Sequence, residues 1–151
     1  MVRELYIYTF SAYVFALIFI VWIYGSMPMA ALNYNLVPFK TILGYASYPS
    51  VNIAIKNVIG NLILTVPLGI YAWFKIRLFQ VNSIFYYALI ISFIFEGVQL
   101  LLYWIGLGAR SIDVDDVILN TIGCIAGYYI TSFVFRVYTH NKKKKVKETT
   151  A

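Results

Sequence analysis

The sequence is poor in charge. Only 12% of its 151 residues are Asp, Glu, Lys or Arg, about half the share of an ordinary soluble domain, which excludes a globular fold with a solvated charged surface. Cysteine and histidine occur once each, as Cys124 and His140. A lone cysteine forms no intrachain disulfide, and one cysteine with one histidine supplies no zinc site. Cys124 lies within an apolar run and reads as a packed, inert thiol. His140 stands beside lysines, with no partner for metal or catalytic work. Nucleophile triads, phosphate loops and metal-ligand spacings are all missing, so neither a metal nor a cofactor is expected.

What is there is apolar. Hydrophobic residues make up 62% of the chain and come in long blocks, which places the protein in a membrane as an all-α integral protein. Residues 5–24, 57–74, 84–105 and 117–135 are each long enough to cross a hydrocarbon core about 30 Å thick. They predict a four-helix membrane bundle, one domain over 1–138. A signal peptide over 5–24 fits less well: its apolar region would be unusually long, and 26–30 is a poor cleavage site. The stretch 25–56 carries Pro28, Pro38 and Pro49 and the interfacial tyrosines Tyr34, Tyr45 and Tyr48. It predicts a loop with a short helix lying on or dipping into the bilayer surface. Pro67 removes an N–H and frees the carbonyl of Ile63, which predicts a kink in the second span.

The net charge is +6, of which five lysines and Glu148 near the end contribute +4. A short basic run after the last apolar block is not the basic face that nucleic acid requires. It reads as a solvated cytoplasmic tail over 139–151, beside anionic lipid. Four spans put both termini on one side. Placing them inside leaves nine basic residues there, against Lys40, Lys56 and Arg110 outside, the bias of a chain with cytoplasmic termini. Trp22, Trp73 and Trp104 fall near predicted span ends, as an aromatic belt requires.

Between Arg77 and Arg136 the only charged residues are Glu96, Arg110, Asp113, Asp115 and Asp116. Ser92, Glu96, Gln99 and Tyr103 follow one another at four, three and four residues, one face of a helix. Asp113, Asp116, Asn120, Gly123 and Gly127 repeat the pattern, and Asn57, Asn61 and Thr65 recur every fourth residue. Polar stripes on apolar helices are costly in lipid unless they face each other or a wet cavity, so they are read as walls of one outward-opening site. Its candidate ligand-binding residues are Asn57, Asn61, Glu96, Gln99, Arg110, Asp113, Asp116 and Asn120.

Glu96 lies about 13 Å below the outer end of its span, where a charge costs about 3 kcal/mol. It is either a proton-transferring or ligand-binding carboxylate, or a neutral acid bonded to Gln99 or Asn61 that holds helices together. Arg110 with Asp113 and Asp116 admits three readings: a fork for phosphate or carboxylate, a divalent-cation bridge to phosphate, or a helix cap with a surface ion pair. Asp113 is predicted to cap the fourth helix, with Asp116 at its third position. Asp115 points away from the stripe and is predicted to be solvated. Gly123 and Gly127 form a GxxxG pattern for close helix packing, within the chain or in a homodimer. Asn57-Val-Ile-Gly-Asn61 also resembles Asp116-Val-Ile-Leu-Asn120, either a duplication or coincidence in an Ile/Val-rich chain.

Four segments carry a resemblance: Asn35-Leu-Val-Pro-Phe39, Asn57-Val-Ile-Gly-Asn-Leu-Ile-Leu-Thr-Val-Pro67-Leu-Gly69, Glu96-Gly-Val-Gln99, and Arg110-Ser-Ile-Asp113-Val-Asp-Asp-Val-Ile-Leu-Asn120-Thr-Ile-Gly123. In order and spacing they resemble the VanZ-like family, over roughly residues 35–128. The resemblance implies a bacterial cell-membrane protein related to one associated with resistance to teicoplanin, a lipid-tailed glycopeptide. It carries over Glu96, Gln99, Arg110, Asp113, Asp116 and Asn120 as motif positions without an assigned chemical step. The function it implies is modulation of glycopeptide susceptibility by binding membrane lipid, a lipid-linked cell-wall precursor or a lipoglycopeptide. An enzyme acting on a lipid head group with Glu96 as acid/base, or a scaffold of a membrane complex, stands beside that reading.

Overall fold

The computed structural model describes residues 2–19, 34–45, 51–76, 81–106 and 112–149. In chain order these form α1 (Val2–Ile18), β1 (Tyr34–Asn35), α2 (Lys40–Tyr45), α3 (Val51–Ile76), α4 (Val81–Trp104), β2 (Ile112–Asp113) and α5 (Val114–Thr149). Three segments are long and apolar enough to cross a membrane: Asn57–Lys75, Ser83–Trp104 and Val114–Val146. They match the second, third and fourth predicted spans. Of the first, the described apolar helix is Tyr8–Ile18, shorter than a crossing needs. Residues 20–24 of that predicted span, Trp22 included, lie outside the described residues, so three helices of crossing length are described rather than four.

The last helix also differs. It does not end near 135 but runs through the lysines to Thr149. Thirty-six residues of helix are about 54 Å long, well beyond a hydrocarbon core of about 30 Å. Residues 139–149 of the predicted tail therefore continue α5, and those from 139 to 146 are exposed. There Lys144 and Glu148 form an i, i+4 pair at 3.9 Å, too solvated to add much.

Helix α5 is the centre of the bundle. It lies parallel to α3, as the order of contacts shows: Asn61 meets Asp116, Thr65 lies by Gly123, and Trp73 packs on Phe135. Small residues make the approach close. A Cβ on Gly123 would sit 2.3 Å from the Leu62 carbonyl oxygen, one on Gly127 2.1 Å from that of Val66, and one on Gly69 1.8 Å from that of Cys124. Of the two packings the GxxxG pattern allows, the chain uses the intramolecular one, and Gly123 and Gly127 are covered by α3. Cys124 is buried in the same seam.

Helix α4 runs antiparallel to α5: Glu96 meets Asp113, and Ser92 accepts a hydrogen bond from Thr121 at 3.0 Å. Helix α1 packs on α3, where the Tyr13 hydroxyl donates to the Leu64 carbonyl and Phe10 stacks on Tyr71 with ring centroids 4.1 Å apart, and its Leu17 joins the core that holds Ala88 and Cys124. Helix α3 continues through Pro67, whose missing N–H leaves the Ile63 carbonyl without its helical donor.

The segment before α3 holds more than the predicted surface loop. β1 and β2 pair in parallel, Tyr34 opposite Ile112 and Asn35 opposite Asp113. This small β element departs from an all-α fold. It brings the short helix α2 onto the start of α5.

Candidate functional site

Asp113 stands immediately before α5, and its Oδ1 accepts the backbone N–H of Asp115 at 2.9 Å, the geometry of an N-cap. The same carboxylate accepts from Asn35 Nδ2 at 2.9 Å and, through Oδ2, from the Thr41 hydroxyl at 2.5 Å. Its backbone N–H donates to Glu96 Oε2 at 3.2 Å. One residue therefore ties the β pair, α2, α4 and the first turn of α5. Asn35 braces the arrangement by donating also to Thr41 Oγ1 and accepting from the Val37 N–H, both at 3.1 Å.

Asp115 overturns its prediction. It is 1% exposed and receives three backbone N–H groups of the α2 turn: Phe39 on Oδ1, with Thr41 at 2.8 Å and Ile42 at 3.0 Å on Oδ2. It does point away from Asp116, because neighbours on a helix diverge by about 100°. What lies there is α2, not water. Phe39 is held at φ +64°, a conformation costing a non-glycine residue about 1–2 kcal/mol, and the charged acceptor on its N–H helps to offset that cost. The sequence offered no signal for this clamp, since its donors are backbone groups that any residue carries.

Asp116, in the first turn of α5, accepts from Asn61 Nδ2 across the α3 seam, so two predicted stripes do meet. A carboxylate there also lies favourably at the positive end of the helix dipole. Asn57 turns elsewhere and donates to the Tyr45 hydroxyl at 2.6 Å. Glu96, Gln99 and Asn120 are all buried. Arg110, the remaining candidate, lies outside the described residues.

The result is an acidic end of the bundle, with Glu96, Asp113, Asp115 and Asp116 gathered where α5 begins. Among the described residues, no group of three His, Cys, Asp or Glu side chains is arranged to hold a metal ion. Gln99 lies on the face of α4 that carries Ser92 and Glu96 toward α5. It is 7% exposed, and its Oε1 has no hydrogen-bond partner among the described residues. Buried polar atoms are ordinarily satisfied, and one left over costs about 1–3 kcal/mol. This atom can accept a donor from a bound molecule.

The family model VanZ/LLP1 matches residues 7–136, most of the chain. No curated protein and no solved structure matches it.

Proposed function

The chain belongs to the VanZ/LLP1 family, and from that premise we propose that it binds the polar head of a lipid-linked or lipid-tailed envelope molecule at the acidic end of its bundle, modulating susceptibility to glycopeptides such as teicoplanin. The observation that carries the reading is Gln99 Oε1, a buried acceptor with no donor among the described residues, one turn from Glu96 on the same face of α4. Sugar hydroxyls, amides and ammonium groups of envelope molecules are such donors. Apolar flanks on α3, α4 and α5 would keep the lipid tail in the bilayer while the head reaches this end. With cytoplasmic termini, that end faces outward.

The test is binding of a fluorescent teicoplanin or a lipid-linked cell-wall precursor to the full chain in nanodiscs. Gln99→Leu keeps the bulk and removes the acceptor, and should weaken binding about tenfold. Unchanged affinity would refute the reading. A second reading, chemistry on a lipid head group, is favoured by the burial of the Glu96 carboxylate in the same place. Glu96→Gln retains hydrogen bonding without proton transfer. Loss of the resistance phenotype with binding intact would favour the enzyme.

A further inference from the structure

At the opposite end of the bundle, Trp73, Tyr128, Ser132, Phe135, Arg136 and Thr139 line a groove of about 280 Å³ between the end of α3 and the flank of α5. We infer that this groove seats the head group of an anionic glycerophospholipid, with Arg136 gripping the phosphate.

Its level suits that occupant. Arg136 lies 22 residues along α5 from Val114, about 33 Å of helix and thus one hydrocarbon thickness from the acidic end. Its lining is divided in the same way. Trp73 is buried and packs against Phe135 with ring centroids 4.3 Å apart, a wall for the glycerol and upper acyl carbons. Arg136, Ser132 and Thr139, at i, i−4 and i+3 on α5, supply the polar side. The volume is at the small end for ligand sites, sized for a head group rather than a whole lipid. Arginine offers a planar fork that matches phosphate oxygens.

Among the described side chains at this end, Lys75 on α3 and Arg136 with Lys142, Lys143, Lys144 and Lys145 on α5 stand against Glu148, which already faces Lys144. The lysines of α5 stand too far along the helix to substitute for Arg136. Because α5 stays helical, Lys142 stands about 9 Å and Lys147 about 16 Å farther along its axis, at or beyond a Debye length of about 8 Å. They attract the anionic surface; the groove makes the contact.

The experiment is native mass spectrometry of the full chain released from nanodiscs of mixed phosphatidylglycerol and phosphatidylcholine, counting retained lipids. Wild type should retain phosphatidylglycerol selectively. Arg136→Gln should reduce that retention about tenfold, the loss of a charge-assisted contact. Ser132→Leu, which fills the groove and leaves the charge, should reduce it as well. Replacing Lys142, Lys143, Lys144 and Lys145 together by glutamine should leave it unchanged. Retention surviving Arg136→Gln or Ser132→Leu, loss confined to the lysine variant, or equal retention of phosphatidylcholine would each overturn the inference. Arg136 is exposed, so its replacement leaves the fold intact, and an unchanged melting temperature checks this.

Discussion

The carboxylate of Asp115 stands 2.8 Å from the backbone nitrogen of Thr41, 74 positions earlier in the chain. It does for the α2 turn what a capping side chain does for its own helix, but from a different element. Since α2 also contacts Asp113 through the Thr41 hydroxyl, the two aspartates hold the same segment by its backbone and by its side chain. The acidic end is thus assembled by long-range bonds rather than by α5 alone.

Asp115→Ala should therefore destabilise the protein by about 3 kcal/mol, since a buried charged acceptor of three N–H groups is removed and those donors are left unmet. Hydrogen exchange at residues 39–42 should rise by orders of magnitude while α4 stays protected. Asp115→Asn keeps one acceptor oxygen and should fall between. Unaltered exchange at Thr41 and Ile42 in the alanine variant would contradict the clamp.

Glycine positions on the two faces of the bundle should respond in opposite ways. Gly127→Ala places a methyl 2.1 Å from the Val66 carbonyl, so α3 and α5 must separate, at a cost of about 1–3 kcal/mol. At Gly97 a Cβ would meet nothing within 4 Å, and alanine there should add about 0.5–1 kcal/mol through helix propensity. Melting temperatures in one detergent decide it; a Gly127→Ala protein as stable as wild type would show that the helices are not in backbone contact.

Asn61 and Asp116 should be energetically coupled. Single alanine substitutions and the double variant form a cycle whose interaction term should be about 1.5–3 kcal/mol, the range for a hydrogen bond to a carboxylate. Additive losses would mean that α3 and α5 are joined by packing only. Asn57, bonded to Tyr45 instead, should show no coupling to Asp116.

Glu96→Ala removes the acceptor of the Asp113 N–H and leaves a cavity in a polar seam, so it should lower stability more than Glu96→Gln, by about 1–2 kcal/mol. Chemical denaturation of the two variants measures the difference. Equal stabilities would mean that the bond to Asp113 contributes nothing.

Much of this protein is legible without coordinates. Long apolar blocks have one solution in lipid, so three helices of crossing length fall where hydropathy puts them, and Asp113 caps α5 because a cap is set within a few residues. The family too could be read from four short segments. Local patterns of this kind are written in side chains close along the chain.

The remaining features depend on partners the chain does not announce. Asp115 looks surface-directed until α2 folds onto it. Gly123-Cys-Ile-Ala-Gly127 promises a close approach but not which helix approaches. Asn57 and Asn61 share a stripe, yet one turns to Tyr45 and the other to Asp116. Read one residue after another, the chain already says which segments are apolar enough to enter a membrane and which side chains are too polar to face lipid. Whom those side chains meet emerges only on folding, because the groups that answer them, backbone N–H groups for Asp115, a carboxylate for Asn61 and a hydroxyl for Asn57, are brought in from other elements.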